Sequence, residues 1–166
     1  MHTETDSPRV APDAALCVLE KVAARLDSAP KLDVNALAAA LSDAVCLADV
    51  ERWLAYANDE RCRTVVRRTA EYELVVIGWL PGQESPAHDH GVSSCAFRVV
   101  AGTACERRFS KGAAPEHLQH PPGSVVVATA DQVHVVGNAE SAAGPMVTLH
   151  VYSPPLCGLG LPVAGL

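Results

Sequence analysis

The first stretch of the chain with a clear apolar pattern has helical spacing. The pair Pro12-Asp13 is a suitable helix opening, and the segment from Ser28 to Pro30 is a suitable end. The apolar positions between them are Leu16, Leu19, Val22, Ala23 and Leu26. The polar residues that precede this helix, 1–12, are predicted to form a flexible tail.

Two further helices are predicted before the pattern changes. Asp33 is placed to cap the second helix. The apolar face of that helix comprises Ala36, Leu37, Ala40, Leu41 and Ala44. The third helix is short, covers about 47–57, and carries Trp53 and Tyr56 as expected core residues. We therefore expect an α-helical N-terminal region over residues 13–57.

From about residue 62 the apolar residues form short runs that are rich in β-branched and aromatic side chains. Gly, Pro, Asn and Ser separate these runs at intervals of roughly 8 to 15 residues, which is typical of an all-β sandwich or barrel. The runs are CRTVV, YELVVIGWL, CAFRVVAG, TACERRF, GSVVVATA, VHVVGN and MVTLHVYS. No helical pattern alternates with them, so a parallel α/β sheet is not expected. The predicted fold is a mainly β domain over residues 13–166, with a small β-barrel over residues 60–156.

Composition narrows the classes of function. The formal net charge is −6, whereas nucleic-acid binding needs a concentrated basic surface. No apolar run is long enough to span a membrane, and the polar N-terminus lacks the pattern of a signal peptide. The six cysteines contain no CxxC pair, which argues against a disulfide scaffold. We expect a cytoplasmic monomer that acts on small molecules, without nucleic acid or membrane.

Three histidines in the β region have the spacing of metal ligands. His88 and His90 flank Asp89, and alternate residues of an extended strand share one face. His134, in the later run VHVVGN, is the natural third ligand. By contrast, His117 and His120 are predicted to lie in a loop without a functional role.

The spacing around these histidines resembles the two motifs of the cupin superfamily. The first motif is represented by Gly82, His88, His90, Cys95 and Gly102, and the second by His134 and Asn138. Cys95 occupies the position of the glutamate expected as a fourth ligand. If Cys95 does not bind the metal, three neutral histidines leave a divalent iron its full charge, which suits a thiolate donor and O2. If Cys95 is itself a ligand, zinc is the expected metal.

Four segments together resemble the cysteine dioxygenase family of thiol dioxygenases, bacterial type. They are WLPGQESPAHDH, CAFRVVAG, VHVVGN and VTLHVYSPP, and the resemblance covers about residues 60–156. Members of this family are cupins with a three-histidine ferrous site. The resemblance therefore implies that His88, His90 and His134 hold Fe(II) and that L-cysteine is oxidised with O2 to cysteine sulfinic acid.

The resemblance also implies roles for further residues. The hydroxyl of Tyr152 hydrogen-bonds the substrate, and His150 orients that tyrosine. Thr148 stands where the family usually has serine in this relay, and Cys95 stands where some members form a thioether bond with the tyrosine. Arg63 aligns with the arginine that binds the substrate carboxylate.

Alternative functions remain open at this point. One alternative is that the protein is a related dioxygenase that oxidises another small thiol, such as 3-mercaptopropionate or mercaptosuccinate. A different class of function is a non-catalytic cupin that binds a metal or a small ligand.

Overall fold

The computed structural model describes residues 17–156, in which a short helical region precedes eight strands. The predicted tail, 1–12, lies outside these residues. The helices are α1 (Val18–Ser28), α2 (Val34–Ala40) and α3 (Leu47–Val50), with a 3₁₀ turn at Glu51–Trp53. The strands are β1 (Cys62–Arg68), β2 (Glu73–Trp79), β3 (Ser94–Ala101), β4 (Ala104–Phe109), β5 (Glu116–His120), β6 (Val125–Ala128), β7 (Val133–Asn138) and β8 (Met146–Ser153). The prediction of a mainly β fold with an N-terminal helical region is confirmed.

The helices are shorter than the apolar pattern predicts. The first begins at Val18, after an extended Cys17 whose backbone N–H donates to the Glu20 carboxylate (2.7 Å). The second ends at Ala40 rather than Ala44, because Ser42 closes the last turn by donating its hydroxyl to a backbone carbonyl. Asp33 does cap this helix, since its carboxylate accepts two backbone N–H bonds.

The strands form two antiparallel sheets. One has five strands in the order β1-β2-β8-β3-β6, and the other has three in the order β5-β4-β7. The strand β5 was not predicted, because its sequence EHLQH has no apolar alternation. It lies at the edge of the smaller sheet, so His117 and His120 are strand residues and the prediction of a loop for them is wrong.

The five-stranded sheet separates two apolar clusters. Leu74 and Val76 of β2 pack on the side that the helices cover, together with Leu149 and Val151 of β8. The residues between them point inward, toward the three-stranded sheet. The inward side chains of the three central strands include Val75, Ile77, Trp79, Cys95, Phe97, Val99, Met146, Thr148, His150 and Tyr152. The predicted site residues of these strands therefore lie in the barrel interior.

No helix within residues 17–156 has the length and apolarity that crossing a membrane requires.

Candidate metal centre

The three predicted ligands come together at one place. His134 lies in β7, and His88 lies beside it in an extended segment that forms an isolated bridge rather than a regular strand. Two backbone hydrogen bonds join these residues, from His88 N–H to the His134 carbonyl (3.0 Å) and from His134 N–H to the His88 carbonyl (2.9 Å). The potential ligand atoms of His88, His90 and His134 all lie within 4.8 Å of one another.

A glycine allows the HDH segment to approach β7. A Cβ at Gly137 would lie 2.6 Å from the Cβ of Glu84 and 2.8 Å from the Gln83 carbonyl. Neither atom is the end of a flexible side chain, so a larger residue at Gly137 would push the segment away. Ser85 adds two hydrogen bonds with Val136. Its backbone N–H donates to the Val136 carbonyl (2.8 Å), and its hydroxyl oxygen accepts from the Val136 N–H (3.0 Å). This contact places His88 against His134.

The second ring nitrogen of two ligands is already engaged. Nδ1 of His88 lies 2.8 Å from the Pro86 carbonyl, and Nδ1 of His134 lies 2.7 Å from Oε1 of Glu106. Since both partners are acceptors, we assign the ring proton to Nδ1 in each case, which leaves the Nε2 lone pair free. Nδ1 of His90 is buried without a well-aligned hydrogen bond.

Two of the ligand imidazoles are held in the neutral form that metal binding requires. Burial lowers the pKa of His88. Burial, together with the neighbouring His134 and His88, lowers the pKa of His90 to about 4. The lone pairs of His88 and His90 are therefore not blocked by protons at neutral pH.

Glu106 of β4 is a buried carboxylate behind His134. Its other oxygen lies 2.8 Å from Nε2 of His120 and 3.1 Å from the Arg108 guanidinium. Burial alone would raise the pKa of Glu106, but the hydrogen bonds from His134, Arg108 and His120 outweigh it and hold the pKa at about 2. An ionised carboxylate therefore fixes the orientation of a ligand histidine. Sequence reasoning missed Glu106 and His120, because the pairing of β4 with β5 brings them together.

A chain of hydrogen bonds runs along the inner face of β8. Nε1–H of Trp79 donates to Thr148 Oγ1 (2.9 Å). Thr148 Oγ1 lies 2.8 Å from Nε2 of His150, and Nδ1 of His150 lies 3.1 Å from the Tyr152 hydroxyl. Phe97 stacks on the His150 ring, with the ring centroids 5.0 Å apart. Sequence reasoning predicted the last three members of this chain but not Trp79, which β2 places beside β8.

The direction of this chain follows from its first member. The indole N–H can only donate, so Thr148 Oγ1 accepts from Trp79, and we assign the Thr148 hydroxyl as the donor to Nε2 of His150. Burial lowers the pKa of His150 well below its usual range, so the ring is neutral. Nδ1–H then donates to the Tyr152 oxygen, and the proton of Tyr152 remains available to the cavity.

Cys95 contacts Tyr152 rather than the histidine cluster. These two residues are directly opposite in the pairing of β3 with β8. Burial raises the pKa of the Cys95 thiol well above its usual range, although a hydrogen bond with Tyr152 opposes this shift. The cluster of potential metal ligands found within residues 17–156 contains the three histidines without Cys95. The alternative of a cysteine-ligated zinc is therefore not supported.

Arg63 lies in the wall of the same cavity, but it has a partner that sequence reasoning missed. Its register with the inward residue Ile77 turns Arg63 toward the barrel interior. Its guanidinium forms an ion pair with the fully buried carboxylate of Glu73. The second oxygen of Glu73 lies 2.9 Å from Arg68. The cavity itself has a volume of about 40 Å³, which is far smaller than a drug-sized ligand pocket.

The comparisons with known proteins agree with this geometry. The sequence model of the family "Cysteine dioxygenase type I" matches residues 7–159. The chain belongs to the cysteine dioxygenase type I family. Among solved structures, it resembles a conserved protein with a double-stranded β-helix domain from Klebsiella pneumoniae, with 29% identity and a TM-score of 0.56 over 67% of this chain and 93% of that chain.

Two further solved structures extend the comparison. The protein TT1209 from Thermus thermophilus has 25% identity and a TM-score of 0.56, over 64% of this chain and 94% of that chain. An RmlC-like cupin protein from Desulfovibrio desulfuricans has 23% identity and a TM-score of 0.50, over 61% of this chain and 90% of that chain. The last likeness concerns the fold alone. The barrel is therefore a cupin, as the spacing of the histidines predicted.

The donor set of this cysteine dioxygenase family member fits a divalent metal. His88 and His134 have Nε2 free, and the buried Nδ1 of His90 has no aligned partner. Glu106 is oriented through His134 and is not itself in the ligand cluster. Such a set leaves the charge of a bound ion uncompensated by an inner carboxylate.

Proposed function

We propose that the protein is an iron-dependent thiol dioxygenase that converts L-cysteine and O2 into cysteine sulfinic acid. The reaction RSH + O2 → RSO2H balances without a further reductant, since both oxygen atoms enter the product. The observation that carries the proposal is the convergence of three histidines beside the Tyr152 hydrogen-bond chain, in a member of this family.

His88, His90 and His134 would hold Fe(II) through their free ring nitrogens. Bound iron supplies the redox chemistry that joins oxygen to sulfur. The ionised Glu106 keeps the His134 ring in one orientation and makes its Nε2 a better donor. No inner carboxylate competes with an incoming thiolate for the charge of the metal.

Tyr152 is the residue that we assign to the reacting substrate. Its ring centroid lies 5.9 Å from that of His90, so its hydroxyl is close to the metal ligands. Burial raises the pKa of Tyr152 well above its usual range, which keeps its proton in place as a hydrogen-bond donor. His150 and Thr148 act as positioning residues, because they fix the direction in which Tyr152 donates.

The pairing of Cys95 with Tyr152 supports a thioether bond between them. That bond would join the sulfur to a ring carbon next to the hydroxyl and remove two hydrogen atoms, with O2 as the oxidant. It would hold the tyrosine ring rigidly in the cavity. The mass of the chain would fall by about two daltons, which intact-protein mass measurement can detect.

The wall that contains Arg63 is the proposed site of the substrate carboxylate. A guanidinium binds a carboxylate through two charge-assisted hydrogen bonds. The small volume of the cavity disfavours large thiols but does not distinguish L-cysteine from a thiol of similar or smaller size. 3-Mercaptopropionate and mercaptosuccinate are the other thiols to compare.

The test is oxygen consumption by protein that has been loaded with Fe(II) anaerobically. We expect uptake with L-cysteine that exceeds uptake with the other two thiols, and one sulfinate formed for each O2 consumed. The metal-free protein and the His117→Gln variant, which alters an exposed histidine of β5, are the controls. Iron binding without thiol-dependent uptake would instead indicate a non-catalytic cupin.

A further inference from the structure

The carboxylate of Glu73 forms an ion pair with Arg63, the arginine that was expected to bind the substrate carboxylate. Glu73 is 0% exposed, and neither of its oxygens has a well-aligned hydrogen bond within the described residues. Its compensation is the ion pairs with Arg63 and Arg68. A buried carboxylate that loses its counter-charge is strongly destabilising. The Glu73 pair therefore restrains Arg63 and reduces its attraction for a second anion.

A second arginine of the same wall has no such partner. Arg61 precedes Arg63 by two residues, and both line the cavity that holds the three histidines and Tyr152. The guanidinium carbon of Arg61 lies 5.5 Å from the centroid of the Trp79 ring, in a cation–π contact. Among the carboxylates of residues 17–156, none lies within ion-pair distance of Arg61. Arg61 is half-buried, so its charge is partly withdrawn from water.

The charge of Arg61 acts on the cavity as well as on the surface. Arg61 lines the cavity together with His88 and His150. Burial is the largest cause of the lowered pKa of His150, and the charge of Arg61 is among the smaller causes. Within residues 17–156, Arg61 is thus a cation without a carboxylate partner, and it lines the cavity in which a substrate has to lie.

We propose that Arg61 is the main receptor for the carboxylate of the substrate, with Arg63 as a fixed neighbour that Glu73 holds in place. The inference rests on the proposed thiol dioxygenase function and names Arg61, rather than Arg63, as the residue that distinguishes thiols with a carboxylate from thiols without one. Sulfur binds at the histidine end of the cavity, and the carboxylate binds at the end that the two arginines form. Cysteamine, which has the thiol and the amine of cysteine without the carboxylate, gains nothing from Arg61.

The test measures binding without turnover. Fe(II)-loaded protein is titrated anaerobically by calorimetry with L-cysteine and with cysteamine, for the wild type, Arg61→Gln and Arg61→Lys. We expect Arg61→Gln to weaken L-cysteine binding by about 10- to 100-fold, the range of a lost charged hydrogen-bond pair. Cysteamine binding should change by less than about twofold, and Arg61→Lys should lie between the wild type and Arg61→Gln because it keeps the charge but not the planar fork.

Arg67→Gln is the matched control. Arg67 is another arginine of β1, but it pairs with Asp27 (2.7 Å) and lies opposite Leu74, which faces the helices. This variant should bind both thiols as the wild type does. An Arg61→Gln variant with unchanged L-cysteine binding, or with cysteamine weakened equally, would overturn the inference.

A double variant examines the role assigned to Glu73. In Arg61→Gln combined with Glu73→Gln, Arg63 is released from its ion pair and should recover part of the lost L-cysteine binding. Failure to recover any binding in a folded double variant would contradict the restraint on Arg63. Failure of the proposed function has a different signature from failure of this inference. In that case the wild-type protein binds these thiols but forms no sulfinate from any of them in oxygenated buffer.

Discussion

The two faces of the five-stranded sheet are built from the same strands but carry different kinds of side chain. On β8, Leu149 and Val151 pack under the helices, while Thr148, His150 and Tyr152 alternate with them and face the barrel interior. The outer face is mainly apolar; among the described residues its buried charged member is Arg98 of β3, which lies opposite Leu149 and donates to the Leu41 carbonyl (3.1 Å). The inner face combines an apolar cluster with polar groups, and an ordered chain of hydrogen bonds joins these polar groups from Trp79 to Tyr152.

This difference shows how a small domain separates stability from chemistry. The strand period of two assigns alternate residues to the two faces, so a change on one face need not alter the other. Burying polar groups is unfavourable unless they are paired. The helices bury the outer face of the sheet and so add apolar contacts, which offset the free-energy cost of burying polar groups on the inner face. The comparison predicts that substitutions on the two faces have separable effects.

The largest effect on the inner side is expected from His134→Ala. Removing one of three ligands and the partner of Glu106 should abolish stoichiometric iron binding. Thiol-dependent oxygen uptake should fall by more than about 1000-fold, well beyond the 10–100-fold typical of residues that only orient a ligand. Metal analysis and an oxygen electrode provide the measurements. Retention of one iron per chain would show that the ligand set is wrong.

On the outer face, Leu149→Ala should lower the free energy of unfolding by about 2–5 kcal/mol, since Leu149 is fully buried between the sheet and the helices. The variant that remains folded should still bind one iron and oxidise the same thiol. Urea unfolding and metal analysis check the two parts of this prediction. Loss of iron binding in the folded variant would show that the two faces are not independent.

The metal-free protein should lose stability as the pH falls. The pKa of His90 is about 4 in the folded state and about 6.5 in an unfolded chain. Below pH 6.5 the unfolded state therefore binds a proton that the folded state does not, and the free energy of unfolding decreases until the folded state also titrates. Between pH 6.5 and pH 4, the titration of His90 lowers the free energy of unfolding by about 3 kcal/mol. Urea unfolding of the wild type and His90→Gln is measured between pH 7 and pH 4.5. The free energy of unfolding should depend more steeply on pH in the wild type, and equal slopes in the two proteins would contradict this prediction.

Glu106→Gln should have an intermediate effect. The amide keeps the size of the side chain but removes the charge that orients His134, so iron affinity should fall by about 10- to 100-fold. Competition with a chelator measures this change. Glu84→Gln is the control, because Glu84 pairs with Arg107 at the surface and contacts none of the ligand rings through its carboxylate. Equal iron affinity of wild type and Glu106→Gln would contradict the role given to this carboxylate.

The smallest effect is expected from Thr148→Val, which interrupts the chain between Trp79 and His150. We expect kcat to fall by about 2- to 10-fold, the equivalent of one hydrogen bond, with little change in KM. Thr148→Ser should restore kcat, because the hydroxyl alone carries the relay. A variant that lowers stability but leaves kcat and its pH profile unchanged would show that Thr148 is structural.

The elements and residues that could be predicted from the sequence are those whose signal is local. Short runs of β-branched and aromatic residues predicted seven strands, and the HxH spacing predicted His88 and His90 as neighbours. The strand β5 was missed because its sequence, EHLQH, is polar and contains no such run. The helices were predicted too long, because side-chain caps and packing against the sheet decide where they end.

The residues that could not be predicted are those that strand pairing brings to the site. Glu106 meets His134 through the pairing of β4 with β7, and Glu73 meets Arg63 through the pairing of β1 with β2. Their distance along the chain gives no spacing motif. Arg63 was predicted from the resemblance as the residue that binds the substrate carboxylate, and its ion pair with Glu73 was not foreseen. A buried acidic residue in an otherwise apolar strand, such as Glu73 at the start of ELVVIGW, is the sequence signal that was available.

The most direct test of the account is the fate of oxygen in the product. Fe(II)-loaded protein is given L-cysteine and ¹⁸O₂, and the product is analysed by mass spectrometry. If the three histidines hold iron beside Tyr152, as proposed, we expect cysteine sulfinic acid in which both sulfinate oxygens carry the label. Unlabelled product, or cystine without sulfinic acid, would contradict the assignment of this site as a thiol dioxygenase centre.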